Sequence, residues 1–434
     1  MASVVFYFQV HQPYRLRRYS VFDSDPFYFD TEKNGQICNK VAEKCYRPAT
    51  KLMLDLIKRH KGRFRISYAI TGTVLEQFEK HAPDVIDLFK ELADTGCCEF
   101  IAETYYHSLS FLYSREEFTT QVNMHARKIK ELFGQTPTTF RNTELIYNND
   151  LAHYVSTMKA EGQENDPAAK PRFLGAICEG TDWHLGYRSP NFLYRPPHTG
   201  AGGGGSGDST ATGKPFAIML KNYRLSDDIA FRFSNRGWNE WPLSAEKFAT
   251  WVNNINGNGY VCNLFMDYET FGEHQWADTG IFKFLDALPE KIFDVNPGQN
   301  DFLMASEALA KFDTVGAYDV PHMISWADTE RDLSAWLGNA MQSNALNEVF
   351  RLERLVKQRL QQAEQTGDEQ AMKQAGCLVE DWRKLTTSDH FYYMSTKYWS
   401  DGDVHKYFSP YESPYDAYIN YMNVLDNLRS RTMA

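Results

Sequence analysis

The stretch YVCNLFMDYETFGEH, residues 260–274, begins as an apolar run and ends in four charged or titratable side chains. The apolar part has the length and composition of a strand that is buried on both faces of a parallel sheet. Asp267, Glu269 and Glu273 follow closely, and His274 comes directly after them. Carboxylates this close repel one another, so their clustering needs a reason. The stretch therefore indicates a strand that delivers polar groups to one edge of a sheet.

Two other segments repeat this arrangement. Residues 4–10 form an apolar strand that ends in His11-Gln12-Pro13, and residues 138–141 lead into Asn142-Thr143-Glu144. A capped strand end is the simpler explanation for any one segment alone. Polar groups just past the carboxyl ends of several buried strands are typical of the active site of an α/β barrel. The three segments together favour a catalytic site.

Short apolar segments with the composition of strands recur along the first two thirds of the chain, at residues 4–10, 64–70, 98–102, 138–141, 173–177, 215–220 and 260–266. Stretches with helical spacing of apolar residues lie between them, at residues 41–60, 73–94, 115–133, 151–160 and 244–254. This alternation predicts βαβ units and a parallel sheet. Seven strands rather than eight predict an α/β fold, an irregular (β/α)7 barrel over residues 1–315.

The pattern is interrupted once and then stops. An insertion at about residues 178–214 contains the glycine-rich run 202–207, which is either a passive surface loop or a mobile lid over a cleft. Beyond about residue 332, amphipathic helices are predicted at residues 333–362, 369–384 and 415–429. We therefore expect a C-terminal helical domain, residues 316–434, that packs against the barrel and completes its cleft.

Composition limits the partners and the compartment. The 434 residues carry a net charge of −10, which argues against nucleic acid and against anionic membrane surfaces. No apolar run approaches the roughly 20 residues that cross a bilayer, and the N-terminus lacks the features of a signal peptide. The seven cysteines are odd in number and have no C-x-x-C spacing. These features predict a reduced, cytoplasmic protein without a membrane partner.

Glu144 and Asp267 are the predicted catalytic pair. They follow two non-adjacent strands, so a barrel can bring them face to face across its mouth. Glycoside hydrolysis needs two such carboxyl groups, one ionised nucleophile and one protonated acid. Arg141 is expected to stabilise the ionised form of Glu144, whereas burial and the nearby Glu269 and Glu273 favour the protonated form of Asp267.

Further polar and aromatic side chains are predicted to bind substrate at the same face of the barrel. His11 is more often structural at such a position, but beside two carboxylates it becomes a donor to a sugar hydroxyl. Trp336 is either a core residue or a sugar platform. The full set of predicted substrate-binding residues is His11, Gln12, Tyr106, His107, Arg141, Glu269, His274 and Trp336. No cofactor and no metal are predicted.

At this point the motifs resemble those of glycoside hydrolase family 57, the retaining enzymes that act on α-glucans. The resemblance covers most of the chain and rests on HQP at residues 11–13, TGTVLE at 71–76, RNTE at 141–144, DYETFGEH at 267–274 and SAWLGN at 334–339. It implies a (β/α)7 barrel followed by a helical domain. It also implies that Glu144 is the nucleophile, that Asp267 is the acid/base, and that an α-glucan is the substrate.

Within that family the chain is most similar to the α-amylase-type members. They share Tyr14-Arg15 after the first motif and the segment WHLGYRS at residues 183–189. The residues Arg-Asn-Thr precede Glu144, where glucanotransferases and branching enzymes tend to carry a tryptophan. This departure favours an amylase, and it implies cleavage of α-1,4-glucosidic bonds in starch, glycogen or maltodextrin.

The sequence is also compatible with three other functions. A 4-α-glucanotransferase or a branching enzyme would use the same two carboxyl groups and differ only in the acceptor. A metal-dependent polysaccharide deacetylase would use His11, His107, Asp267 and His274 as ligands, although the histidines are scattered in the sequence. A glucan-binding protein with an idle site is the third alternative, and it does not explain why both carboxyl groups are present. The oligomeric state is not predicted.

Overall fold

The computed structural model describes residues 2–197, 210–397 and 409–434. Ten strands are described: β1 (Ala2–Val10), β2 (Ile66–Ile70), β3 (Cys98–Phe100), β4 (Thr139–Arg141), β5 (Gly175–Glu179), β6 (Leu193–Arg195), β7 (Ala217–Lys221), β8 (Val261–Asp267), β9 (Asn300–Phe302) and β10 (Thr314–Ala317). β1, β2, β3, β4, β5, β7 and β8 correspond to the seven predicted strands. The three others, β6, β9 and β10, are short and do not correspond to any predicted strand.

The seven predicted strands form a ring of parallel neighbours. β3, β2, β1 and β8 pair in that order, and β4, β5 and β7 form a second parallel run. Ala102 joins β3 to β4, because its amide donates to the Thr139 carbonyl at 2.9 Å. Asn222 joins β7 to β8 through its amide and the Asn263 carbonyl at 2.9 Å. The predicted irregular (β/α)7 barrel is therefore confirmed.

The short strands account for the irregularity of the barrel. β6 pairs antiparallel with β7 and parallel with β10, so this strand pair lies outside the parallel ring. β9 pairs with the first residues of β1, below the point where β2 begins to pair. β6, β9 and β10 have only three or four residues each and lack a longer apolar run, so their hydrophobic pattern is too weak to distinguish them from loops in the sequence.

Burial on both faces explains why the centre of β1 is a run of apolar and aromatic residues, from Val4 to Phe8. All of its residues are buried. Val5 and Tyr7 point into the barrel, where they pack in one cluster with Phe265, whereas Phe6 and Phe8 pack in the outer cluster beneath the helices. A strand covered on both sides has no solvent-facing residues, so its sequence does not alternate.

Eleven described helices surround or follow the barrel strands: α1 (Thr31–Val41), α2 (Arg47–Arg59), α3 (Gly72–His81), α4 (Pro83–Asp94), α5 (Arg115–Phe133), α6 (Asn149–Thr157), α7 (Asp182–Leu185), α8 (Tyr223–Ala230), α9 (Ala245–Asn253), α10 (Ile281–Asp294) and α11 (Ala305–Lys311). The single helix predicted over residues 73–94 is two helices, α3 and α4. Pro83 starts α4 because it has no amide hydrogen to continue α3.

Five further described helices form the C-terminal part: α12 (Ser334–Leu337), α13 (Ala340–Thr366), α14 (Glu369–Leu385), α15 (Ser388–Tyr392) and α16 (Pro414–Met433). The helix predicted over residues 333–362 is divided at Gly338-Asn339, where the Asn339 side chain accepts the Gln342 amide at 3.0 Å and so caps α13. Leu346, Trp382 and Val424 pack in one apolar cluster between α13, α14 and α16.

The predicted boundary between residues 315 and 316 falls inside β10. Tyr318, Val320 and Ile324 pack in the same cluster as Phe140 of the barrel. The division of the chain into a barrel and a C-terminal helical domain stays a prediction. The predicted insertion contains α7 and β6 in its described part, and the glycine run 202–207 lies outside the described residues. Within the described ranges, no helix combines the length and apolar character that crossing a membrane requires.

Candidate active site

One cavity of about 650 Å³ opens at the carboxyl ends of the barrel strands. The barrel contributes both predicted catalytic residues, Glu144 and Asp267. The C-terminal helices contribute one wall, through Trp336, Asp389, Tyr392 and Tyr393. The remaining predicted residues in its lining are His11, Gln12, His107, Glu269 and His274. A cavity shaped by both parts of the chain can enclose a substrate from two sides.

Glu144 lies in a tight turn directly after β4. Its backbone is in the left-handed region, with φ 58° and ψ 24°, a conformation that costs free energy in a residue other than glycine. Trp326 Nε1 donates to Glu144 Oε2 at 2.8 Å, and Ser388 Oγ donates to Glu144 Oε1 at 2.9 Å. The turn and the two donors together fix the carboxyl group at the cavity wall.

The surroundings of Glu144 favour its ionised form. Burial raises the pKa of this carboxyl, but the hydrogen bond and positive charge of His107, with the charge of Arg141, outweigh burial and lower the pKa below its usual value. His107 Nε2 lies 3.4 Å from Glu144 Oε1. Glu144 is therefore an anion at neutral pH.

Asp267 is the last residue of β8 and stands beside Gln9 of β1 in the parallel ladder. Burial and the negative charge of Glu144 raise the pKa of Asp267 to about 6, against the opposing charges of Arg141, His107 and Lys221. The two carboxyl groups of one cavity are thus shifted in opposite directions.

A buried layer behind Glu144 supplies positive charge. His107 Nδ1 lies 3.1 Å from Glu103 Oε2, and Arg141 Nη1 lies 3.6 Å from the same oxygen. Burial lowers the pKa of His107, but hydrogen bonds to Glu103 and Glu144 outweigh it and raise the pKa to about 9. His107 is therefore a cation at neutral pH, and Glu103 holds it in place from below.

His11 follows β1 and stacks on His107 with 4.1 Å between ring centroids. Its Nε2 lies 2.9 Å from Asp389 Oδ2, and its Nδ1 lies 2.9 Å from Thr71 Oγ1. Burial and the charge of His107 lower the pKa of His11. A neutral ring with its hydrogen on Nε2 satisfies both contacts, because it donates to Asp389 and accepts from Thr71.

Glu269 lies two residues beyond Asp267 and is almost fully buried. The Tyr46 hydroxyl donates to Glu269 Oε1, and the His11 amide donates to the same oxygen at 3.4 Å. Burial and the charge of Asp267 raise the pKa of Glu269 to about 8, so the group is protonated at neutral pH. Gln12 Nε2 donates to the Tyr46 hydroxyl at 3.3 Å, which links the first motif to this group.

Glu273 does not line the cavity. Lys40 Nζ and Lys44 Nζ lie 2.6 and 3.3 Å from its two carboxyl oxygens. His274 does line the cavity, and burial lowers its pKa to about 4, so its ring is neutral. The acidic run of residues 267–273 is therefore divided between the cavity and a surface ion cluster.

Two of the eight residues predicted to bind substrate lie outside the cavity lining. Arg141 is fully buried behind Glu144, with its guanidinium carbon 5.1 Å from the ring centroid of Trp326. Tyr106 lines a separate crevice between α5 and α14, and its carbonyl accepts the Thr387 hydroxyl at 2.9 Å. The positive φ of His107, 51°, turns the chain, so the adjacent His107 lines the cavity and Tyr106 does not.

Trp336 occupies an intermediate position. Its side chain is only 1% exposed and belongs to the apolar cluster of the C-terminal helices, yet it lines the cavity. Trp336 is therefore a core residue that also lines the cavity, and its role as a sugar platform stays a prediction.

Comparison with known proteins identifies the family. A model of glycosyl hydrolase family 57 matches residues 5–321. The chain belongs to glycosyl hydrolase family 57. It is 40% identical over 428 residues to a candidate alpha-amylase of Methanocaldococcus jannaschii, an alignment that covers 97% of this chain and 83% of the relative. The family predicted from the motifs is confirmed.

Solved structures of family 57 enzymes share the fold. A branching enzyme of Thermococcus kodakaraensis superposes with a TM-score of 0.63 at 12% identity, over 99% of this chain and 94% of that chain. A branching enzyme of Pyrococcus horikoshii gives 0.62 at 14% identity, over 94% and 87%. A 4-alpha-glucanotransferase of Thermococcus litoralis gives 0.57 at 16% identity, over 90% of this chain and 56% of that chain. Likeness at these identities establishes the fold.

Several residues of this family 57 site were missed in the sequence. Lys221 ends β7 and lines the cavity. It could have been predicted from the signal that indicates Glu144, a polar residue at the end of an apolar strand. On α15, where a short polar segment follows the amphipathic α14, Asp389 lines the cavity and Ser388 donates to Glu144. Nothing in that segment alone indicates a partner in the barrel.

Metal-dependent chemistry would require several ligand side chains to converge on one point. Across residues 2–197, 210–397 and 409–434, no group of three or more His, Cys, Asp and Glu side chains is placed to hold a metal ion. His11 and His107, two of the ligands considered above, are instead engaged with Asp389 and Glu103.

Proposed function

We propose that this protein is a retaining glycosidase that cleaves α-1,4-glucosidic bonds of starch, glycogen or maltodextrin. One observation carries the proposal: two carboxyl groups line the same cavity, the pKa of Glu144 lies below its usual value, and that of Asp267 rises to about 6. Both retaining and inverting glycosidases require such a pair, one ionised and one protonated, and the choice of retention rests on the resemblance of the motifs to family 57. Membership of family 57 and the alpha-amylase relative support the same conclusion.

The first step would form a glycosyl-enzyme. A carboxylate oxygen of Glu144 attacks the anomeric carbon as the bond to the leaving glucose breaks. The Asp267 carboxyl gives its proton to the departing O4, which leaves as a hydroxyl. The donors Trp326 and Ser388 hold the nucleophile in position, so little reorganisation is needed at the moment of attack.

The second step would release the sugar. Asp267, now ionised, takes a proton from the incoming hydroxyl, whose oxygen attacks the anomeric carbon and displaces Glu144. Two displacements restore the α configuration. Water as the acceptor gives hydrolysis, and a sugar hydroxyl gives transfer.

The neutral groups around the pair are suited to sugar hydroxyls, which donate and accept at once. We assign His11, Gln12, Glu269 and His274 to the sugar beside the scissile bond, since all four line the cavity. Trp336 would present an aromatic surface at the wall formed by the C-terminal helices.

Product analysis from maltoheptaose tests the proposal. We expect shorter malto-oligosaccharides by chromatography and α-anomers as the first products by NMR. β-Anomers in early turnover would exclude the retaining mechanism. Products longer than the substrate would identify a glucanotransferase, and new α-1,6 linkages a branching enzyme. Activity that disappears on chelation and returns with added zinc would overturn the two-carboxyl mechanism.

A further inference from the structure

Two large apolar side chains at the cavity are exposed to solvent. Phe231 is 65% exposed and Trp276 is 58% exposed, and both line the same cavity as Asp267. Two aromatic residues of the wall formed by the C-terminal helices are covered instead, since Trp336 is 1% exposed and Tyr393 is 4% exposed. An exposed apolar pair at the edge of a cavity is typical of a surface that a ligand covers.

The pair lies on the side of the cavity that carries Asp267. Phe231 directly follows α8, and Trp276 follows β8 at a distance of nine residues from Asp267. Gln275 Nε2 donates to the Ala230 carbonyl at 2.8 Å, which brings the two loops together. Phe231 and Trp276 therefore lie on the neighbouring segments that follow α8 and β8.

The loop that carries Trp276 is fixed. Gly272 has φ 113°, and any side chain there would collide with the carbonyl of Lys44. The Gly272 amide donates to the Gln275 carbonyl at 2.9 Å, and Lys44 Nζ lies 5.4 Å from the centroid of the Trp276 ring. A held aromatic ring pays little conformational entropy when a ligand covers it.

We propose that Phe231 and Trp276 form the platform for the glucose ring on the leaving-group side of the scissile bond, and for the acceptor sugar that later takes its place. This inference rests on the proposed function. Glucose presents an apolar face of C–H groups that packs on an aromatic ring. Asp267 would protonate the leaving-group oxygen, so the rings beside it are placed for the sugar that carries this oxygen.

Two substrates distinguish contacts on the leaving-group side of the scissile bond from contacts on its other side. Maltoheptaose has a sugar leaving group and needs the platform, whereas α-maltotriosyl fluoride loses fluoride and needs neither the platform nor an acid. The ratio of kcat/KM for maltoheptaose to kcat/KM for the fluoride therefore reports the leaving-group side alone. We expect Trp276→Ala and Phe231→Ala each to lower this ratio roughly three- to tenfold. Trp276→Phe should restore most of the loss.

Trp241→Ala is the matched control, because Trp241 is 42% exposed and does not line the cavity. Its ratio should equal that of the wild type. An unchanged ratio in both test variants, or an equal loss on both substrates, would overturn the platform. A wild-type protein inactive on both substrates would instead overturn the proposed function. Because both side chains are exposed, melting temperatures should stay within a few degrees of the wild type.

The acceptor role has its own measurement. With α-maltotriosyl fluoride as donor and maltose as added acceptor, we expect the maltose concentration that gives half-maximal transfer to rise by a similar factor in the two test variants. An acceptor dependence identical to that of the wild type would restrict Phe231 and Trp276 to the leaving group and overturn the acceptor half of the proposal.

Discussion

The two carboxyl groups of the cavity differ in what surrounds them. Glu144 accepts hydrogen bonds from Trp326 and Ser388 and lies 3.4 Å from the His107 cation. Asp267 follows the apolar residues Phe265 and Met266, and among described residues no side chain donates a hydrogen bond to it. Glu144 therefore accepts side-chain hydrogen bonds, and Asp267 accepts none from the described residues. The protonation state of each carboxyl group is therefore set by its neighbours rather than by its own chemistry.

Removal of the ionised partner should have the largest effect. Glu144→Gln keeps the shape of the side chain but removes the nucleophile, so no glycosyl-enzyme can form. We expect kcat on maltoheptaose to fall roughly 10⁴- to 10⁶-fold, measured by reducing-end release. Substantial residual activity with a Tm similar to the wild type would show that Glu144 is not the nucleophile.

The same variant tests how far the charge of Glu144 sets the pKa of Asp267. The charge of Glu144 is one cause of the raised pKa of Asp267. Glu144→Gln removes that charge, so the pKa of Asp267 should fall below about 6. Carboxyl-carbon NMR titration measures it directly. A pKa that does not move would mean that burial alone protonates Asp267.

Removal of the protonated partner should cost less and should depend on the leaving group. Asp267→Asn loses the general acid, and we expect kcat/KM on maltoheptaose to fall roughly 10²- to 10⁴-fold. α-Maltotriosyl fluoride needs no protonation, so its kcat/KM should change far less. Added azide should yield an α-glycosyl azide from this variant. Rescue of Glu144→Gln in place of Asp267→Asn would mean that the two roles are reversed.

Loss of one donor from the Glu144 wall should have an intermediate effect. Trp326→Phe keeps an aromatic ring but removes the Nε1 hydrogen bond to Glu144 Oε2. A hydrogen bond to a charged group contributes about 1.5–3 kcal/mol, so kcat/KM should fall roughly ten- to a hundredfold. Ser388→Ala should act similarly through Oε1, and Ser156→Ala on α6, outside the cavity lining, is its control. Full activity in both donor variants would contradict a role for the donors in positioning.

The barrel, and those site residues that directly follow its strands, could be predicted because both depend on local sequence. Buried parallel strands are continuous apolar runs, and polar residues directly after them meet at one edge of the barrel. This rule predicts Glu144, Asp267 and His11. Lys221 at the end of β7 and Glu179 at the end of β5 have the same sequence signal.

The rest of the site depends on tertiary packing. Ser388 lies 244 residues from Glu144 along the chain, and Asp389 lies 378 residues from His11. Amphipathic spacing predicts that a helix packs on the barrel but not which of its ends reaches the cavity. Tyr106 shows that neighbours in the sequence can also be separated in space. It directly precedes His107, but a backbone turn at His107 directs the two side chains to different cavities.

The pH dependence of kcat/KM should show the smallest and most specific effect. This parameter reports the free enzyme, in which Asp267 must be protonated to act as acid and Glu144 must be ionised to attack. The Asp267 pKa is raised to about 6, so activity on maltoheptaose is lost as pH rises through this value, about tenfold by pH 7. The Glu144 pKa is lowered, so the acidic limb lies below the usual carboxyl range. His107, with a pKa of about 9, stays charged throughout this window.

For α-maltotriosyl fluoride, whose fluoride leaves without an acid, the limb near pH 6 should be absent. A limb at the same pH for both substrates would assign it to a group other than Asp267, and the contrast between the two walls would then not govern catalysis.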